Sequence, residues 1–144
     1  MNLAQLNIAT MLEPLDSERM ADFVAQLADV NAAAEAADGF VWRLKDEDGP
    51  GSTSYRLLDD DNIIVNLSVW RDLASLREFV LGQAGHRAAL SRRREWFEKA
   101  SSPTTVCWYV SDDHLPTLDE AEAMLLRLRA EGASEDLFPF SYRD

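Results

Sequence analysis

Apolar and polar residues alternate along 2–9, NLAQLNIA, with Ala4, Leu6 and Ile8 on one side and Gln5 and Asn7 on the other. A period of two predicts a strand with two unlike faces. Pro14 and Asp16 then open a helix whose stripe is Met20, Phe23, Val24, Leu27, Asn31 and Ala34, and Gly39 ends it. FVWRLK, 40–45, is a second strand. The stretch DEDGPGSTSYRLLDDDN is rich in Gly, Pro, Ser and Asp and reads as a long loop, part of which, TSYRLL, can extend a hairpin. IIVNLSVW, 63–70, is the third strand.

Asp72 suits the N-cap of the helix LASLREFVLGQ. Gly82 or Gly85 separates that helix from HRAALSRRREWFEKA, which sets His86, Leu90, Arg93 and Phe97 along one stripe. TTVCWYV, 104–110, is the fourth strand. Thr117 and Glu120 form a capping box for a last helix, with Ala121, Met124, Leu125 and Leu128 inward and Gly132 closing it. The tail DLFPFSYRD is too aromatic for a free end.

The predicted order is β-α-β-β-α-β with an extra C-terminal helix, an α+β, ferredoxin-like arrangement. In such a fold the helices cover one face of the sheet. Leu6, Ile8, Ile63, Val65, Leu67 and Val69 are expected on the helix-facing side, and Gln5, Asn7, Asn66, Ser68 and Trp70 on the bare side, with Trp42 and Trp108 joining them. A solvated face would carry Thr, Lys and Glu at those places. A dry core would leave the amides unpaired, at roughly 1–3 kcal/mol each. Amides mixed with large aromatics instead suit a half-covered cleft, roofed by a second subunit or by the aromatic tail, and the expected assembly is a homodimer with a pocket.

Composition narrows the partners. The 144 residues suit a single domain over 1–144. With 14 basic residues against 26 acidic ones, the net charge of −12 argues against nucleic acid or an anionic membrane as partner. No apolar run approaches the roughly 18–20 residues that span a bilayer, and no leader-like segment opens the chain, so the expected location is the cytoplasm. The single Cys107 excludes an intramolecular disulfide, and two histidines, His86 and His114, exclude a multi-histidine metal site within one chain. The acidic clusters Asp46–Asp48 and Asp59–Asp61 lack the alternating ligand spacing of a calcium loop.

The segments LAQLNIA, GFVWRL, IIVNLSVW and HRAALSRRREWF, with the ending PTLDEAEAMLLRL, resemble the bacterial family catalogued as domain of unknown function 3291. The resemblance covers nearly the whole chain. It implies a dimeric α+β barrel related to the antibiotic-biosynthesis monooxygenases and to the haem-degrading monooxygenases. Against the haem-degrading relatives, Asn7 matches their strand-one Asn and His86 resembles their axial iron ligand. Trp70 matches a strand-end Trp of those relatives, while the place of their catalytic Trp falls at Phe79 or Val80.

Two functions follow as alternatives. One is a cofactor-independent, monooxygenase-like enzyme acting on an apolar or aromatic ligand. His86 would be its base and Asn7 its second catalytic group. Asn66 and Ser68 would orient oxygens, Trp70, Trp42 and Trp108 would hold rings, and Arg93 would anchor an anion. The other is a non-catalytic binding protein for haem, with His86 as ligand, or for another hydrophobic metabolite. Each residue also has a plainer role: a hydrogen-bonded core amide, an interface tryptophan, or an arginine paired with one of the protein's own carboxylates. A purely structural homodimer would use only those roles.

Overall fold

The computed structural model describes residues 1–45, 58, 60, 62–82 and 92–140. Strand β1 (Asn2–Thr10) lies at the centre of the sheet, between β3 (Ile63–Trp70) and β4 (Thr105–Val110). β2 (Phe40–Arg43) flanks β3, and a short β5 (Leu137–Phe138) from the aromatic tail flanks β4. The order β2-β3-β1-β4-β5 is antiparallel throughout, which is the ferredoxin-like topology with one added edge strand. Among the described residues the helices are α1 (Ala21–Ala36), α2 (Leu73–Gly82), a single turn α3 (Arg93–Trp96) and α4 (Leu118–Glu131).

The register of β1 and β3 decides which side chains share a face. Leu3 lies opposite Trp70, Gln5 opposite Ser68, and Asn7 opposite Asn66. Ala4, Leu6 and Ile8 alternate with them and face the other way, alongside Val65, Leu67 and Val69.

The assignment of faces to helices is the reverse of the expectation. The aliphatic face is covered by α4, whose Ala121, Leu125 and Leu128 complete a closed apolar cluster with Leu6, Leu67 and Val106. The mixed face, expected to be bare, lies under α1 and α2: Ala34 of α1 and Leu76 and Val80 of α2 pack with Leu3 and Trp70. The C-terminal helix supplies the dry cover. The crossover helices stand over the polar residues without sealing down on them.

Local chemistry explains the element ends. Residues 14–20 form successive turns, with the Ser17 N–H donating to the Pro14 carbonyl at 3.0 Å and that of Met20 to the Ser17 carbonyl at 3.3 Å. The helix therefore starts at Ala21 rather than at Pro14. Gly39 has φ +87°, and a Cβ there would fall 2.3 Å from Ser75 Oγ, so only glycine lets the chain enter β2 against the start of α2. The Asp72 carboxylate accepts from the Ser75 N–H at 2.8 Å, capping α2 as expected. Thr117 caps α4 by accepting from the Glu120 N–H at 3.1 Å. The Glu120 carboxylate does not close a capping box, because Trp108 and His114 take it. Among the described residues no helix is long and apolar enough to cross a membrane. The TSYRLL hairpin, apart from Leu58, and residues 86–91 of the helix expected over 86–100, His86 among them, fall outside the described residues. The described part of that segment corrects the expectation: only Arg93–Trp96 is helical, and Phe97 is extended and forms a bridge with Met11.

Candidate functional site

Between the mixed face of the sheet and the two crossover helices lies a cavity of about 220 Å³. Its floor is a hydrogen-bonded row running across β1 and β3. Gln5 Nε2 donates to Asn66 Oδ1 at 2.7 Å and to Ser68 Oγ at 2.8 Å, and Trp70 Nε1 donates to the same Ser68 Oγ at 2.9 Å. This row explains how Gln5 and Ser68, 8% and 5% exposed, lie inside a sheet without the cost of unpaired polar groups. It also orients what remains. With its oxygen accepting twice, Ser68 has its hydroxyl proton to offer. With its carbonyl taken by Gln5, Asn66 has its NH₂, and this side chain is solvent-accessible although its strand lies inside the sheet.

The walls are aromatic. The Trp70 ring stacks on Phe79 of α2 with centroids 5.3 Å apart and meets Phe40 edge-on at 5.5 Å. At the other end Trp96 of α3, 1% exposed, packs on Phe23 of α1 at 5.4 Å under the Arg92 guanidinium. The tail closes a third side: Phe140 N–H donates to Thr105 Oγ1 at 2.8 Å, and that hydroxyl donates back to the Phe140 carbonyl at 3.1 Å. The roof is α1, from which Gln26, Leu27, Val30 and Asn31 reach the cavity. Two buried polar atoms at this border have no partner, Trp96 Nε1 and Gln26 Oε1.

Of the residues the sequence singled out, Asn7, Asn66, Ser68, Trp70 and Arg93 line this one cavity. Trp42 and Trp108 do not. Trp108 lies beside Ala4 in the β1–β4 register, packs in the aliphatic cluster and donates its indole N–H to Glu120 at 3.0 Å. In β2, Phe40 pairs with Trp70 but Trp42 already pairs with Val69, a bulge that consumes Val41. Trp42 is thereby turned to the aliphatic cluster, and Arg43 takes the place opposite Ser68. A strict alternation from Phe40 would have put the indole over the cavity. His86 lies outside the described residues.

Arg43 and Trp96 are among the cavity residues that pattern reading did not single out. Arg43 is 7% exposed and lines the cavity beside Ser68. Its Nε and Nη2 donate to Glu35 Oε1 at 3.0 and 2.9 Å, while Lys45 Nζ holds Glu35 Oε2 at 3.1 Å. Lys45 and Arg43 together keep the Glu35 carboxyl below its ordinary range. Trp96 carried a legible signal, an aromatic beside Phe97 in the third helical segment, but it fell one place off the predicted stripe of His86, Leu90, Arg93 and Phe97. Burial pushes the Cys107 thiol up to about 12, so it is an inert core group and no nucleophile. Among the described residues no group of three His, Cys, Asp or Glu side chains could hold a metal ion.

The family profile of the domain of unknown function DUF3291 matches residues 2–143. The chain belongs to that family. No curated protein is matched. Among solved structures, SnoaB, a cofactor-independent oxygenase from Streptomyces nogalater, superposes with a TM-score of 0.52 at 22% identity, over 81% of this chain and 98% of that one. Rv0793 from Mycobacterium tuberculosis gives 0.53 at 14% identity, over 80% and 100%. A conserved protein from Methanosarcina mazei Go1 gives 0.52 at 14%, over 69% and 85%. At these identities the likeness is one of fold.

Proposed function

We propose that this protein is a small-molecule oxygenase that works on an electron-rich aromatic ligand without a flavin or metal of its own. The observation that carries the reading is the cavity: a floor of hydrogen-bond donors, Ser68 and Asn66, set against the Trp70–Phe79 stack under a helical roof. The fold shared with a cofactor-independent oxygenase agrees with it.

The chemistry asks little of the protein beyond binding. A ring carbon loses a proton to a base, for which His86 is the candidate, and the resulting carbanion gives an electron to dioxygen. The radical pair joins as a carbon–oxygen bond and takes up a proton to give a hydroperoxide. Loss of water from that hydroperoxide leaves a ring ketone, so one CH₂ and one O₂ become one C=O and one H₂O. Donors on the floor favour the anionic form of the ligand and hold its oxygens, and the aromatic walls keep bulk water from the radical pair. Asn7 lies opposite Asn66 across the strands, and it is the candidate for holding dioxygen or a second ligand oxygen.

The test is oxygen uptake by the purified protein with a panel of hydroxylated polycyclic aryl ketones of the anthrone type, which carry an acidic ring CH₂. The expected result is one O₂ consumed per ketone formed, with turnover at least tenfold lower in Asn66→Ala. Saturable binding with no oxygen uptake across the panel would overturn catalysis and leave a carrier. The reading includes a homodimer, and a solution mass of one chain by light scattering would remove that part.

A further inference from the structure

The cavity adjoins a second cleft whose charge is opposite to that of the protein. Arg93, Phe97 and Phe140 line the cavity and also line this cleft, which has a volume of about 430 Å³. Among the described residues around the cleft, three side chains are cationic, Arg93, Arg94 and Lys99, and one, Glu98, is anionic. The chain as a whole has 26 acidic residues against 14 basic ones.

Other cations of the protein show what that acidic excess does. Arg92 is taken by Asp22 at 3.0 Å and by Glu95 at 2.9 Å, Arg71 by Asp38 at 3.1 Å, and Arg127 by Glu131 at 3.0 Å. Arg93, Arg94 and Lys99 are exposed, and none of the three is in an ion pair with a described residue. The closed apolar cluster and the polar row of the floor use none of them. Like charges gathered in a concave site focus the local potential, which here is positive in a protein of net negative charge.

The position of the cleft defines what it can take. Sharing Phe97 and Phe140 with an aromatic-walled cavity, it suits one ligand in two parts, with the ring inside and a charged arm outside. We propose that the cleft is an anion subsite, in which Arg93, Arg94 and Lys99 receive a carboxylate or a phosphate borne on an arm of the aromatic ligand. The proposal rests on the reading of the cavity as a small-molecule site and narrows its ligand class. Each guanidinium can hold two oxygens of either group, and the lysine adds a point charge. Since all three are exposed, each contact is weak and salt-sensitive, and the preference comes from their number.

Three ring-matched probes test this by calorimetry at pH 7 and low salt: 2-naphthyl phosphate, 2-naphthoxyacetate and the neutral 2-naphthol. The wild type is expected to bind at least one anion about tenfold tighter than 2-naphthol and to lose most of that advantage in 0.5 M NaCl. The tighter anion assigns phosphate or carboxylate. A double variant, Arg94→Gln with Lys99→Gln, changes only exposed side chains that line the cleft and not the cavity. It should lose most of the advantage while the Kd of 2-naphthol stays within about threefold. Glu98→Gln removes the cleft's carboxylate and should raise the advantage by about twofold, a gain that the loss of a structural contact would not produce. Equal binding of all three probes by the wild type overturns the anion subsite alone. So does an anion preference that neither variant changes, or a loss in the double variant that is equal for anion and naphthol. No binding of any probe overturns the small-molecule cavity together with the subsite.

Discussion

The two faces of one sheet are built to different rules. On the aliphatic face Leu6, Val106 and Leu125 are fully buried and Leu67 almost so, and the Trp108 indole N–H is satisfied by Glu120 at the edge. On the cavity face Gln5, Asn66 and Ser68 are tied into a hydrogen-bonded row that ends on Trp70, with Leu3, Asn7, Ala9 and Ile64 around them. The first face stabilises the fold by excluding water. The second sacrifices that burial to keep donors pointing at a space. Alternation with a period of two lets one strand serve both.

The two faces should therefore respond differently to substitution. Leu67→Ala, in the closed cluster, is expected to cost about 2–5 kcal/mol in urea unfolding because the removed side chain leaves a void that α4 cannot fill. A cost well below that would mean the aliphatic face is looser than its burial indicates. Ser68→Ala is smaller in volume but strips an acceptor from both Trp70 and Gln5, and should cost about 1–3 kcal/mol. Asn66→Ala removes only one acceptor at an accessible position and should cost less than Ser68→Ala, while damaging ligand binding more than stability. If Asn66→Ala proves the more destabilising of the two, the row is structural and its donors are not held for a ligand.

Gly39→Ala probes the junction where β2 meets α2. The positive φ alone should cost about 1–2 kcal/mol, with displacement of Ser75 in addition. Its signature is a lowered thermal midpoint with the aliphatic face unaltered, read by hydrogen exchange. The smallest expected effect is that of acid on the Glu35 tie. Its carboxyl is held below the ordinary 4.5 in the folded chain, so its contribution is complete above about pH 4.5 and is lost as pH falls through the lower folded value. A comparison of wild type and Glu35→Gln from pH 6 to pH 3 should show their stabilities converging in that direction. A difference that grows on acidification would mean the tie is not ionic.

Much of this was legible in the chain. The strands 2–9 and 63–70 announce themselves by alternation, and Asn66, Ser68 and Trp70 share a face for the same reason. The Asp72 and Thr117 caps and the closing Gly132 were equally plain, since each is a local signal. What failed were the non-local assignments. Nothing in 118–131 says which face of the sheet it will cover, and once α4 takes the aliphatic side, α1 and α2 are left with the polar one. The places of Trp108 and Trp42 depended on strand register, which for Trp42 turned on one unpaired residue. Glu120 escaped its capping role because two side chains distant in the pattern, Trp108 and His114, compete for it.

That unpaired residue also acts as a selector. If Val41 paired with Val69 instead of bulging out, Trp42 would stand opposite Ser68 and Arg43 would turn to the far side. A one-residue shift of register, rather than any change of side chain, then exchanges a charged contact surface for a flat aromatic one. Among relatives built on this sheet, the lining of the cavity can thus diverge by gain or loss of a bulge at an edge strand while its floor stays as it is.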